Sequence, residues 1–322
     1  MVRCRIGIVG AGGVGTRHAR TLAGFPEVEL VGVADVDAER RTRFAAEFGA
    51  RPFPDLADLL DSTPDAVYVC VPPFAHGAVE EAVVATGAAL FVEKPLALNF
   101  PVAERIAGVV AASGVVTAVG HHWRYSTAVH RARELLAGRT ARLALGTWLD
   151  KVPPVPWWSH RAGSGGQIVE QAVHVLDLAR VLVGEVREVH AFGDGTPPEG
   201  PGADIDGATV AILRFECGAV GTVAASCRLG WKHRAGLEVC ADGIALTVTE
   251  DGLEARDEHG TTEHRVDPAA AKAAADRAFV HAVLGRGEAV LVDYADALRT
   301  HQLACAVATA AIEATRVVLP GG

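Results

Sequence analysis

Over the first 120 residues, short apolar runs alternate with amphipathic stretches. The runs CRIGIVG, VELVGVAD, DAVYVCV, ALFVEK and VVTAVG are rich in valine and isoleucine, and several are apolar at consecutive positions, as parallel strands buried on both faces must be. Helical patterns are predicted between them, near residues 13–24, 37–48, 75–87 and 99–113. This alternation predicts βαβ units and therefore an N-terminal doubly wound parallel sheet of the Rossmann type. From about Trp123 the pattern changes. All five tryptophans lie in or after this stretch, one helix is predicted over 126–137, and GGQIVEQAVHVLDLARVLVG reads as glycines opening a strongly apolar helix over 165–184. The segments ATVAILRFECGAVGTVAASCRL and LEVCADGIALTVTEDGLEAR then alternate across Gly-containing turns, which predicts an antiparallel sheet in an α+β domain. A Gly/Pro/Asp loop is expected at 193–207, and helical patterns at 268–285 and 293–315 close the chain. The boundary is placed at the change of pattern, giving domains 1–122 and 123–322.

Composition supports this division. A chain of 322 residues exceeds what one core usually organises. Half the residues are hydrophobic and 21% are charged, the balance of a folded globular protein. A formal net charge of -9 offers no basic field for nucleic acid or an anionic membrane. Six cysteines (Cys4, Cys70, Cys217, Cys227, Cys240 and Cys305) contain no C-x-x-C pair, so they are expected to be reduced core thiols rather than a disulfide framework or a zinc site. The first residues run directly into an apolar strand, and no apolar stretch approaches the roughly 18 residues of a membrane span. A cytoplasmic location is expected.

GIVGAGGVGTRHA places Gly10, Gly12 and Gly15 as G-x-G-x-x-G after a strand and at the start of a helix. Gly10 permits the tight turn, Gly12 lets backbone approach a pyrophosphate, Gly15 allows close helix packing, and the helix N-terminus supplies N–H donors. Asp35 ends the second strand, placed to accept hydrogen bonds from ribose hydroxyls and to repel a 2'-phosphate. NAD is therefore expected over NADP, with Arg40 and Arg41 near enough in sequence to soften that preference. Later strands end in CVPPFAH and FVEKPLAL. Ligands of open α/β sheets bind outside such strand ends, and Pro95 biases Lys94 toward an extended conformation. The expected cofactor-binding set is Gly10, Ala11, Gly12, Gly13, Val14, Gly15, Asp35, Val71, Pro72, Pro73, His76, Glu93 and Lys94.

Glu170, His174 and Asp177 stand at spacings of four and three in the predicted helix at 165–184, which would put all three on one face. Such a face is either a wet polar stripe or the lining of a site. Histidine suits the removal of a hydroxyl proton near neutral pH, with Glu170 or Asp177 orienting it and Lys94 bonding a developing alkoxide. Glu, His and Asp together also suit a metal ion, although the cation Lys94 would oppose one. His121, His122, Arg124 and Tyr125 in GHHWRYS follow a strand end and are candidates for the substrate side. Trp157 and Trp158 are candidates for a stacking platform. Arg124, Arg161 and Lys151 would suit a substrate phosphate.

Taken in order, GAGGVG, VYVCVPPFAH, EKPLA, GHHWRYS and GGQIVEQAVHVLDLARVLVG resemble the glucose-fructose oxidoreductase/inositol dehydrogenase/MocA family of NAD(P)-dependent enzymes, and the resemblance spans the chain. It implies a Rossmann domain followed by a domain with an open, largely antiparallel sheet, used for substrate binding and commonly for assembly into homodimers or homotetramers. It also places Lys94 and His174 in the catalytic group, with Asp177 matching the acid three residues on. Glu170, Ala172 and Gln167 stand where the family more often has Asp and two glycines. The expectation is an NAD-dependent oxidoreductase acting on a secondary alcohol or ketone of a sugar, cyclitol or sugar derivative, without a metal. The alternatives are a lyase or glycosidase that oxidises its substrate transiently, and a non-catalytic dinucleotide sensor.

Overall fold

The computed structural model describes residues 3–287 and 289–320. Its elements, in order, are β1 (Cys4–Val9), α1 (Gly13–Ala23), β2 (Val28–Ala34), α2 (Ala38–Phe48), β3 (Arg51–Phe53), α3 (Leu56–Asp61), β4 (Ala66–Val69), α4 (Ala78–Ala85), β5 (Ala89–Val92), α5 (Phe100–Ser113) and β6 (Thr117–Val119). There follow α6 (Thr127–Leu136), β7 (Ala141–Leu149), α7 (Arg161–Ser164), α8 (Gln167–Glu170), α9 (Val173–Leu182), β8 (Val186–Gly193), β9 (Ala208–Phe215), β10 (Val220–Ser226), β11 (Arg234–Ala241) and β12 (Ile244–Thr249). The last are β13 (Gly252–Asp257), β14 (Gly260–Arg265), α10 (Pro268–Val283), α11 (Tyr294–Glu313) and β15 (Arg316–Val318).

The chain divides into two compact units, one of residues 1–97, 101–121 and 272–298, the other of 98–100, 122–271 and 299–322. A single boundary at 122/123 omits the return of 272–298 to the first unit. Phe279 and Val280 on α10 explain it, because both are buried in the core under the first sheet.

The first sheet has six parallel strands in the order β3-β2-β1-β4-β5-β6. Its inner strands β4 and β5 are buried at every position, and alternate residues feed separate cores. Tyr68 and Phe91 join the layer containing Phe279, while Val67, Val69, Leu90 and Val92 join the layer containing Leu59 and Ile106. This is why these strands read as continuous apolar runs. The edge strand β3, with proline at its centre, and the one-and-a-half-turn α3 were too short to leave a periodic signal.

The second sheet has nine strands in the order β14-β13-β12-β11-β7-β10-β9-β8-β15. It is antiparallel except for the β7–β10 pair. Strand β9 alternates between buried and exposed positions along its length, so this sheet has one covered face. The cover is α9, buried at nine of its ten residues, together with parts of α6 and α11. Strands β7, β8, β14 and β15 escaped the pattern reading; β14 is exposed throughout and carries no hydrophobic signal. The 193–207 loop lies between β8 and β9 as expected.

The cysteines are all free, but Cys217 is exposed rather than a core thiol. Burial pushes the Cys4 thiol up to about 12 and that of Cys227 up to about 11, so both stay protonated and inert at neutral pH. No described helix is long and apolar enough to cross a membrane.

Candidate active site

In the first unit the glycine loop does what its sterics require. Gly10 has φ +97, and a Cβ there would lie 2.4 Å from the Cys70 carbonyl oxygen. A Cβ on Gly15 would lie 2.0 Å from the Gly10 oxygen, so α1 can pack this close only without a side chain. At Gly12 and Gly13 a Cβ would meet nothing within 4 Å. That open backbone, followed by the N-terminus of α1 with no acid in its first turn, fits a dinucleotide pyrophosphate. Ala11 and Val14 belong to the same loop and first turn.

Asp35 is tied to this loop. Its Oδ2 accepts the Ala11 N–H at 2.7 Å and its Oδ1 the Asp37 N–H at 2.8 Å. Arg40 donates to Oδ1 at 3.2 Å, while Arg41 donates to the Asp35 backbone carbonyl. Val71 and Pro72 follow β4, and Pro73 opens a short 3-10 turn. At the end of that turn His76 Nδ1 donates to Glu80 Oε1 at 2.5 Å. The His76 Nε2 atom is buried with no hydrogen-bond partner among the described residues, a free polar atom that a cofactor could bond. After β5, Glu93 Oε2 accepts the Lys94 N–H at 3.2 Å, and the Lys94–Pro95 peptide is cis.

In the second unit the single helix over 165–184 is broken. Gln171 and Ala172 both donate to the Gln167 carbonyl at 2.9 Å, and the ladder restarts at His174, which bonds the Gln171 carbonyl at 3.3 Å. The three polar groups therefore do not share one helical face. Glu170 ends the one-turn α8 and accepts from Trp158 Nε1 at 2.6 Å. His174 and Asp177 lie in the first two turns of α9. Asp177 accepts both arms of Arg124, at 2.8 and 2.6 Å, and the Thr300 hydroxyl at 2.7 Å. Its carboxylate balances Arg124, a residue expected on the substrate side.

His174 sits among rings. Its centroid is 5.8 Å from those of Trp123 and Trp148, both stacked on it, and 5.2 Å from His122, edge-on. His122 Nε2 lies 3.9 Å from Glu250, whose other oxygen accepts from Lys232 at 2.6 Å. Lys232 in turn stands 5.6 Å over the Trp148 ring. Tyr125 is half-buried. Trp158 is no platform: it is 0% exposed, packed with Ile205 and Cys227, and Trp157 packs against that cluster half-buried. Arg161 is bonded to Asp204 and Asp206, and Lys151 is exposed. The sequence reading missed Trp123 and Trp148, although GHHWRYS held the first of them. Glu250, Lys232 and Thr300 left no signal, because only tertiary pairing brings them here. Among the described residues no group of three or more His, Cys, Asp or Glu is arranged to hold a metal ion.

An open parallel sheet with this glycine loop and a strand-end acid defines a dinucleotide-binding protein of the Rossmann class. Residues 4–121 match the model of an oxidoreductase family with an NAD-binding Rossmann fold, and residues 131–246 match the GFO/IDH/MocA C-terminal domain. The chain belongs to the GFO/IDH/MocA family and is an NAD-binding oxidoreductase. It is 29% identical to myo-inositol 2-dehydrogenase of Thermotoga maritima over 80% of this chain and 79% of that protein. It is 31% identical to scyllo-inositol 2-dehydrogenase (NAD(+)) of Bacillus subtilis over 74% of this chain and 71% of that one. Among solved structures, levoglucosan dehydrogenase in complex with NADH superimposes with a TM-score of 0.90 over 99% of both chains at 22% identity, a likeness of fold.

Proposed function

We propose that this protein is an NAD-dependent dehydrogenase interconverting a secondary alcohol and ketone on a sugar or cyclitol. The observation that carries this reading is His174, a histidine packed beside the Trp123 and Trp148 rings, which also stack on each other, with His122 against its edge. Such a group can take a hydroxyl proton near neutral pH. The relatives whose names specify inositols agree in substrate class.

The glycine loop, Asp35, Val71, Pro72, Pro73 and His76 hold the dinucleotide. When bound, its nicotinamide supplies the redox chemistry. His174 accepts the substrate's hydroxyl proton, and the Lys94 ammonium stabilises the alkoxide. Asp177 holds Arg124 in place, and Glu170 fixes the position of Trp158. His122, Tyr125 and Glu250 contact substrate. NAD is preferred over NADP because Asp35 repels a 2'-phosphate. The open face of the second sheet joins copies of the chain into a homodimer or homotetramer, working in the cytoplasm.

A panel of cyclitols and sugars, including myo-inositol, scyllo-inositol and levoglucosan, supplied with NAD tests the reading. Net formation of NADH with at least one of them is the expected result. Consumption of substrate without net NADH would replace it with a lyase or glycosidase, and NAD binding without any turnover would replace it with a sensor.

A further inference from the structure

The first unit contains a buried charged cluster in which the dehydrogenase reading assigns no role to His18 or Asp276. His18, on α1, is 2% exposed. Its Nδ1 lies 2.6 Å from Asp276 Oδ1 and its Nε2 2.8 Å from Glu93 Oε1. Ionised carboxylates only accept, and a neutral imidazole donates from one nitrogen, so both contacts are satisfied together by the doubly protonated ring. Burial works against that cation. The charge of Asp276 and its hydrogen bond, then the bond and charge of Glu93, outweigh burial and raise His18 to about 9.

Every element around the ring contributes. From α1, Arg17 donates to the same Glu93 oxygen at 3.1 Å, so two cations, His18 and Arg17, balance two carboxylates, Glu93 and Asp276. From β4, the Tyr68 ring lies 5.1 Å away, and from β5 the Phe91 ring 5.0 Å away. Cys70, just after β4, and Cys4 on β1 are protonated, pushed up by burial. Burial also opposes ionisation of Glu93, but the His18 bond and charge, then Arg17 and Lys94, hold its carboxyl well below the usual range. The backbone is built around this carboxylate: a Cβ on Gly120 would lie 2.6 Å from its atoms. The second Glu93 oxygen accepts the Lys94 N–H.

We propose that His18 is a positioning residue: as a buried imidazolium held by Asp276, it clamps the Glu93 carboxylate and thereby fixes the backbone from which Lys94 projects. Asp276 reaches His18 across 258 residues of chain, so the return of α10 to the first unit completes the clamp. Deprotonation of His18 leaves Asp276 or Glu93 without its imidazole donor; where it is Glu93, Arg17 alone holds that oxygen, and the backbone that carries Lys94 is less firmly fixed. The function of the clamp in turnover rests on the dehydrogenase reading; its existence does not.

The test uses the full chain and two variants. Asp276→Asn keeps an acceptor oxygen and so the fold, but removes the charge that raises His18. His18→Gln removes the titrating group. In 15N-histidine NMR with NADH bound, both His18 nitrogens should stay protonated to about pH 8, and in Asp276→Asn the midpoint should fall by about one unit or more. Labelling of Lys94 by trinitrobenzenesulfonate, relative to the exposed Lys151, should break at the same midpoints, and His18→Gln should show no break. With NAD and a turned-over alcohol, the alkaline limb of kcat should move with the NMR midpoint while KM for NAD stays within about threefold. A neutral His18 at pH 7, or Lys94 reactivity identical in wild type and Asp276→Asn at every pH, would overturn the clamp. If no alcohol on the panel is turned over, the dehydrogenase reading fails, and the NMR and labelling results still decide for or against the clamp.

Discussion

The two sheets of this chain are buried in different ways. In the six-stranded sheet both faces are covered by the chain itself, and β4 and β5 spend no position on solvent. In the nine-stranded sheet one face is covered by α9 and its neighbours, yet the other carries Phe192 at 57% exposure, Ile212 at 55% and Val210 beside them. Cross-strand pairing brings these together: Phe192 is opposite Val210, and Ile212 is opposite His190 and Thr222. A contiguous apolar patch on a sheet face is what a protein partner covers. The first sheet is covered on both faces within one chain, and the second leaves one apolar face exposed, the surface proposed above to join copies of the chain.

The difference between the units can be tested most severely at the glycine loop. Gly15→Val adds atoms where even a Cβ would overlap the Gly10 oxygen at 2.0 Å. NAD(H) binding should vanish in calorimetry, and the melting temperature should fall by several degrees or more. Gly12→Ala, by contrast, adds a Cβ that meets no atom within 4 Å, so it should keep the melting temperature and weaken only cofactor binding. Equal thermal damage from both would mean that the loop is structural alone.

A smaller effect is expected in the second unit. His174→Ala should lower kcat by about 10²- to 10⁴-fold and remove its limb of the pH–rate profile. Activity near the wild-type rate would reduce the ring-lined histidine to a packing residue.

Stability should also depend on pH through the first unit. His18 is raised above its usual 6.5 to about 9. Its contribution is therefore fully present below about pH 6.5 and is lost as pH rises through about 9, because the folded chain keeps a proton the unfolded one releases. Urea unfolding should show a decline of about 2–3 kcal/mol over that window, absent in His18→Gln. Glu93, held low, loses its contribution in the opposite direction, as pH falls below the usual carboxyl range.

Least disruptive of all should be Ile212→Lys on the open sheet face. The folded chain should keep its melting temperature within a few degrees, since an exposed substitution typically changes stability by about 0.5 kcal/mol or less. Its sedimentation should shift to that of a monomer. An oligomer that persists unchanged would place the interface elsewhere.

What the sequence revealed follows the same division. The glycine loop, Asp35 and the parallel strands were legible because each is dictated locally, by sterics at Gly10 and Gly15 or by burial on both faces. The break at Gln171 and Ala172 was not, because neither residue is a helix breaker; the widened turn lies beside the Trp158–Glu170 bond, which no local pattern encodes. Arg124 was read as facing substrate because it follows a strand end; its partner Asp177, 53 residues away, left no local signal. His18, Asp276, Trp148 and Glu250 depend likewise on contacts that no local pattern encodes.

The central claim is direct transfer of hydrogen from a secondary alcohol carbon to NAD. It is tested most directly by incubating the protein with NAD and a cyclitol deuterated at its carbinol carbons. The account predicts deuterium at C4 of the NADH formed, with a primary isotope effect on the rate whenever transfer is rate-limiting. Unlabelled NADH, or substrate converted while its deuterium exchanges into water, would contradict it.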